Sequence, residues 1–238
     1  MFDFEKHVVM VTGAAGNLGR RVAQAFESAG ASMVLVDRAP DRLPKLFPEF
    51  ANSSAHALLG SVDATDPESV ERAVEAAIEQ FGRIDVLANT VGGYRAGQPV
   101  HETPIGTWDF MMNLNARTSF VLSRAVVPKM LEQGGGKIVH VAARAALVGG
   151  GNAAAYSASK SAIVRLVESL AAELRHKGIN VNCVLPGTID TPQNRAAMPD
   201  ADVDRWVAPE AIADVMLFLA SDAARAVNGA AVPVYGRS

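Results

Sequence analysis

Cysteine is almost missing from this sequence: one residue, Cys183, in 238. A single thiol excludes an intrachain disulfide, and its place in the apolar run VNCVL suits a buried, inert side chain. Histidine is sparse too. The five are scattered and form no Cys/His cluster, which argues against a structural zinc site, so no metal is expected. Neither sign of charge is in large excess, with a formal net charge of -3. That balance removes the basic footprint of a nucleic-acid binder and the pull toward an anionic membrane. Long hydrophobic runs are absent as well; none approaches the ~20 residues that cross a bilayer. The opening residues, MFDFEKHVVMVTG, carry acids where an export signal carries bases. The expectation is a soluble, cytoplasmic protein with no nucleic-acid or membrane partner.

What is present is apolar and alternating. Hydrophobic residues make up 49% of the chain, enough for one α/β domain over residues 1–238. Short apolar runs predict strands at 7–12, 32–37, 55–61, 84–89, 137–142, 179–185 and 230–235. Helical patterns lie between them near 17–29, 67–81, 106–132, 154–177 and 209–220. Strands this uniformly apolar suit a sheet covered on both faces. Strict β/α alternation predicts a parallel, doubly wound sheet whose ligand loops follow the strands along one edge. Asp66-Pro67 reads as a helix start, and Gly82 and Gly178 as helix stops.

The first predicted strand runs into Thr12-Gly13-Ala14-Ala15-Gly16-Asn17-Leu18-Gly19 and then a helix. Gly13 permits a tight turn, Gly16, Asn17 and Leu18 bring backbone close to a pyrophosphate, and Gly19 permits close helix–strand contact. The helix N-terminus offers free N–H groups to the anion. The second strand ends at Asp37, whose carboxylate can accept both ribose hydroxyls and would repel a 2′-phosphate. NAD(H) is therefore preferred, with NADP(H) as the second choice. Arg38 follows, placed to stack on adenine or meet a phosphate. Asp63 reads either as an acceptor for the adenine amino group or as a turn residue. Tyr156 and Lys160 lie four apart on one helical face. A phenol with a pKa near ~10 is a poor acid or base at neutral pH, and a neighbouring ammonium lowers it.

Taken together, TGAAGNLG, Asp63, Asn89 in NTVG, Asn115 in MNLNA, YSASK and PGTIDT resemble the short-chain dehydrogenase/reductase family over nearly the full length. The resemblance implies a seven-stranded Rossmann fold, a nicotinamide cofactor and a small-molecule substrate. It implies that Tyr156 is the general acid or base, that Lys160 holds the ribose, and that Asn115 holds a relay water. Asn89 and Gly92 would sit beside the cofactor, and Pro186, Gly187, Ile189 and Thr191 would meet the nicotinamide. Pairing of the helices at 106–132 and 154–177 between subunits implies a homotetramer or homodimer.

The sequence departs from the family in two places. Asn17 stands where glycine is usual, and asparagine tolerates the left-handed conformation better than most residues. Ala143 stands thirteen residues before Tyr156, where the family has a substrate-orienting serine. Three readings follow: a substrate that does not need the hydroxyl, a dinucleotide-binding sensor or scaffold without turnover, or a replaced serine. The dihydropteridine reductase branch also has alanine there, and Gly92-Gly93-Tyr94 and the 184–206 segment are similar to it. Candidates for the substrate pocket are Tyr94, Arg95, Ala143, Arg144, Val148, Asn152, Asn194, Met198 and Trp206, with a polar, Pro-bearing substrate loop at about 190–208. Trp108 lies with Phe110 and Met111 in a helix and is expected to pack.

Overall fold

Apolar residues on both sides of each strand require two covering layers, and both are present. The computed structural model describes residues 2–51 and 53–237, so Met1, Asn52 and Ser238 of the expected domain lie outside it. Seven strands, β1 (Val8–Thr12), β2 (Ser32–Val36), β3 (His56–Leu59), β4 (Val86–Asn89), β5 (Gly136–Val141), β6 (Ile179–Pro186) and β7 (Ala231–Val234), form one sheet. All pairs are parallel, in the order β3-β2-β1-β4-β5-β6-β7. This is the Rossmann arrangement. The chain reverses direction across the sheet between β1 and β4, and the crevice at their carboxyl ends is where such sheets bind ligands.

The helices are α1 (Asn17–Ser28), α2 (Arg42–Leu46), α3 (Pro67–Phe81), α4 (Ile105–Met111), α5 (Thr118–Glu132), α6 (Ala154–Leu174), α7 (Pro192–Ala197) and α8 (Pro209–Ala220). Alternate strand residues divide between the layers. Val9, Val11, Val86, Ala88 and Val139 pack with Val22 and Phe26 of α1 and Ile212 and Met216 of α8. Val8, Met10, Leu87, Ile138 and Val181 pack with Val74 of α3, Leu122 of α5 and Val167 of α6. Each of the Val, Leu, Ile, Met and Phe side chains, fully buried, contributes about 1.5–3 kcal/mol. Asp66 caps α3 by accepting from Glu68 N and Ser69 N, with Pro67 in the first turn. Gly82, at φ 75°, closes it in the left-handed region.

The pattern expected over 106–132 departs from one uniform helix. Between α4 and α5 lies a π-helical stretch, Met112–Arg117, which contains Asn115. Such wide turns re-aim side chains and recur at functional sites. The expected substrate loop also has internal structure: α7 and a short 3₁₀ turn, Val203–Arg205. Its ends are joined, because Val207 N donates to Thr188 O at 2.9 Å and Asp190 N to Val207 O at 2.9 Å.

Candidate active site

The glycine-rich turn follows directly from β1. Gly13 takes φ +71°, which most side chains avoid, and Gly16 N donates back to Gly13 O at 2.9 Å. A Cβ on Gly19 would lie 2.2 Å from Gly13 O, so only glycine fits there. Asn17 is the first residue of α1 and is not in the left-handed region. The conformational tolerance expected of it is therefore not used, since Gly13 makes the turn. Its side chain instead donates to Gln193 of α7, tying this turn to the substrate loop. Leu18 is half-buried and packs on the α1/α8 layer. No side chain caps α1 and no acid lies in its first turn. The N–H groups of Asn17, Leu18 and Gly19 thus face the crevice without a capping side chain, as an anion site requires.

Asp37 lies one residue past β2. Its two oxygens accept from Ala15 N at 3.0 Å and Ala39 N at 3.0 Å, which fixes the carboxylate beside the turn. Sequence reasoning missed Arg42, at the start of α2, whose Nη2 donates to Ala15 O at 2.7 Å. Asp37 and Arg42 hold the two ends of the Ala15 backbone, a contact for which DRLPK carries no periodic signal. Asp63 is exposed and accepts from Thr65 N and Thr65 Oγ1, both at 2.8 Å. These bonds hold its carboxyl below the usual range and make it a turn residue before α3, with Arg38 close enough to add to the effect.

The catalytic candidates converge around Gly92-Gly93-Tyr94. Asn115 Oδ1 accepts from Gly93 N at 3.0 Å and its Nδ2 donates to Gly93 O at 3.1 Å and Ser159 Oγ at 2.9 Å. Both amide protons are committed to protein acceptors, so this side chain braces the loop after β4 against α6. A Cβ on Gly92 would lie 2.9 Å from Lys160 Nζ and 3.0 Å from Asn115 Oδ1. The Tyr94 and Tyr156 rings meet edge to face at 4.8 Å.

Lys160 is buried and its Nζ donates to Val141 O at 2.9 Å. Burial lowers its pKa to about 8. Burial, with Tyr94 adding, raises the Tyr156 phenol to about 12. The expected lowering of the phenol by the ammonium is thus not present within the chain. Desolvation dominates, and the ammonium is turned to a backbone carbonyl.

Beneath this site runs a polar chain that sequence reasoning also missed. Asn89 Oδ1 accepts from Thr12 Oγ1 at 2.8 Å and Val91 N at 3.0 Å, and its Nδ2 donates to Ser119 Oγ at 3.2 Å and His140 Nδ1 at 3.1 Å. His140 Nε2 meets Ser123 Oγ at 2.9 Å. Burial, then the Lys160 charge, pushes the imidazole down to about 3, so it is neutral. A histidine inside the apolar run KIVHVA was the available signal.

The remaining substrate candidates divide. Ala143 is buried two residues past β5, extended, with a methyl where the family resemblance implies a hydroxyl. Arg144, Thr188, Asp202, Arg205 and Trp206 line a cleft of about 310 Å³. Thr191 Oγ1 accepts from Asn194 N at 3.1 Å and Asn194 Nδ2 donates to Ile189 O at 2.8 Å, so Asn194 braces the loop. Pro186 pairs with Val234, and Gly187 N donates to Val234 O at 3.1 Å. Arg95 lies over the Phe110 ring, and Asn152, at φ 59°, is a turn residue whose carbonyl accepts from Gly97 N. Val148 and Met198 are exposed.

A parallel sheet with an open anion turn, a buried lysine and a tyrosine one helical turn before it defines a dinucleotide-binding oxidoreductase fold. Residues 7–202 match the family model described as short chain dehydrogenase, and the chain belongs to that family. It is 34% identical to the D-threitol dehydrogenase of Mycolicibacterium smegmatis, over 99% of this chain and 94% of that one. It is 35% identical to the 2-(R)-hydroxypropyl-CoM dehydrogenase of Xanthobacter autotrophicus, over 96% and 97%. The structure of a short-chain type dehydrogenase/reductase from Mycobacterium ulcerans superposes with a TM-score of 0.91 at 28% identity, covering 99% of this chain and 90% of that one. Among the described residues no helix is long and apolar enough to cross a membrane, and no group of three or more His, Cys, Asp or Glu is placed to hold a metal.

Proposed function

We propose that this protein interconverts a hydroxyl and a carbonyl on a small organic molecule, using NAD(H) in preference to NADP(H). The observation that carries the reading is the convergence of Tyr156, Lys160 and Asn115 on the Gly92–Tyr94 loop beside the uncapped start of α1. The residues present fit a nicotinamide dinucleotide: the Gly13/Gly19 contact leaves no room for a side chain, and the N–H groups at the start of α1 lack a cap. Gly13, Gly16, Asn17, Leu18 and Gly19 would hold its pyrophosphate, Asp37 its adenosine ribose, and Gly92, Ile189 and Thr191 its nicotinamide half, with Asn89 bracing the strands beneath. The chemistry such a group supplies is a hydride, exchanged with the substrate carbon.

Tyr156 moves the accompanying proton at its phenol oxygen. With the phenol raised to about 12 it is protonated at neutral pH, the form that donates to a carbonyl oxygen. Lys160 is anchored through one N–H to Val141 O, leaving two donors for a ribose hydroxyl and the phenol oxygen. The names of the relatives, dehydrogenases of polyols and of hydroxyalkyl thioethers, support an alcohol or ketone substrate. A quinonoid dihydropterin is the second reading, favoured by Ala143: charge spread over a conjugated ring needs a second hydroxyl donor less. Exposed Ile105, Phe110, Phe120 and Leu131 on α4 and α5 support assembly into a homodimer or homotetramer.

The test is a spectrophotometric screen with NADH and NADPH against simple ketones, diketones, keto acids and quinonoid dihydropterin. Oxidation of NADH with any of these, reduced ~10²–10⁴-fold in Tyr156→Phe, is the expected result. Tight cofactor binding with no turnover would make the protein a sensor or scaffold instead.

A further inference from the structure

The cleft at the carboxyl ends of β5 and β6 contains two guanidinium groups that form no ion pair among the described residues. Arg144 follows Ala143 and lies over the Tyr235 ring, 5.2 Å from its centroid. Arg205 comes from the opposite wall, the 3₁₀ turn of the substrate loop, and Trp206 and Thr188 complete the lining. Among the described residues neither arginine forms an ion pair, whereas Arg195, on the same loop, is bound in two-pronged fashion by Asp190 at 2.6 and 2.8 Å. Asp202 also faces the cleft, but Asp204 N donates to its Oδ1 at 3.3 Å as part of the turn. Among the described lining residues, two cations against one anion leave a single positive charge.

We propose that Arg144 and Arg205 form a subsite for a carboxylate carried by the substrate, making the substrate a small hydroxy or keto acid. The inference rests on the oxidoreductase reading above and names its substrate class. Guanidinium groups present planar, forked donors that match a carboxylate, and stacking on Tyr235 holds one fork in place. The net charge of the lining suits a monoanion better than a doubly charged phosphate. The volume is at the small end of ligand pockets and suits a short carbon chain resting on the Trp206 indole. The 144–146 turn is tied to α6 because Ser161 Oγ donates to Ala146 O at 2.8 Å, so the arginine and the Tyr156 helix keep a fixed relation.

The chain has two tryptophans, Trp108 and Trp206, so Trp108→Phe leaves one reporter in the cleft. This protein is titrated with acetoacetate and with its neutral methyl ester, with and without NAD⁺. A saturable change in emission with the acid, at least tenfold weaker with the ester and weakened at least tenfold in Arg144→Ala and Arg205→Ala, is expected. Arg144→Lys, which keeps charge but loses the fork, falls between. Equal responses to acid and ester, no saturation in the tens of millimolar, or indifference to both substitutions would overturn the proposal. Where NADH is oxidised with both compounds, the acid-to-ester ratio of kcat/KM falls at least tenfold in both alanine variants; an unchanged ratio overturns it. Acid binding at Trp206 without turnover of either compound or of any substrate in the screen above upholds the subsite and refutes the redox reading, so the two fail separately.

Discussion

Asn115 and Gly93 are joined as two strand residues would be, the side-chain amide of one accepting from and donating to the backbone of the other at 3.0 and 3.1 Å. The π-helical stretch Met112–Arg117 contains this amide, and its remaining proton goes to Ser159 in the turn before Lys160. One side chain thus sets the distance between the loop after β4 and the helix that bears the tyrosine. Gly92, held against Lys160 Nζ, could not approach otherwise.

The closest approach in the dinucleotide turn is Gly19 to Gly13. Gly19→Ala is expected to lower stability by about 1–3 kcal/mol, the usual cost of overpacking, and to weaken dinucleotide binding. Gly16→Ala, whose Cβ would stand 3.1 Å from Gly13 O, should cost less. Urea midpoints and cofactor titrations of the two variants check the order; a harmless Gly19→Ala would contradict the close packing.

The buried imidazole makes stability sensitive to acid. His140 sits at about 3 in the folded protein against 6.5 for the free side chain, so between these values the unfolded chain binds a proton that the folded one refuses. Stability contributed by the neutral ring is present above pH 6.5 and is lost as pH falls toward 3. The difference between the wild type and His140→Asn, which cannot titrate, should change by up to about 1.4 kcal/mol per pH unit in that window. Urea unfolding from pH 4 to pH 7 gives the slope; parallel curves would rule the mechanism out.

The proposed preference for NAD(H) rests on Asp37. Asp37→Ala removes the charge that repels a 2′-phosphate and leaves Arg38 and Arg42 nearby. The NADH-to-NADPH ratio of kcat/KM is expected to fall at least tenfold, a difference of ~1.4 kcal/mol in transition-state stabilisation. An unchanged ratio would remove Asp37 from the ribose site.

Ala143→Ser restores the hydroxyl that the family resemblance leads one to seek. With a ketone substrate, where charge collects on one oxygen, the rate should rise by up to ~10²-fold. With a dihydropterin it should stay within a few-fold. Steady-state kinetics on both substrate classes separate the two readings.

The strands were legible because their apolar runs are bounded by glycine, proline or charge, and all seven lie within two residues of their expected ends. Helix α3 is found at its expected bounds because Asp66-Pro67 and Gly82 mark both ends chemically. Helices α2 and α7, five and six residues long, carry too few turns for a periodic signal. The motif glycines and the Tyr156/Lys160 spacing were visible as local words. The orientation of Lys160 toward Val141, the double bond of Asn115 to Gly93 and the Asn89–His140–Ser123 chain depend on partners from 17 to 51 residues away. No window along the sequence brings these together, and a pKa raised by burial is equally invisible before the burial is known.

The hydrogen-bonded closure between Thr188, Asp190 and Val207 makes the stretch between them a detachable module. A stretch whose two ends already touch can lengthen, shorten or change its side chains while the seven strands and the tyrosine helix keep their positions. On the proposed function, selectivity would be rewritten here without rebuilding the tyrosine helix, and grafting a relative's loop between these anchor points is the corresponding route to new substrates on this frame.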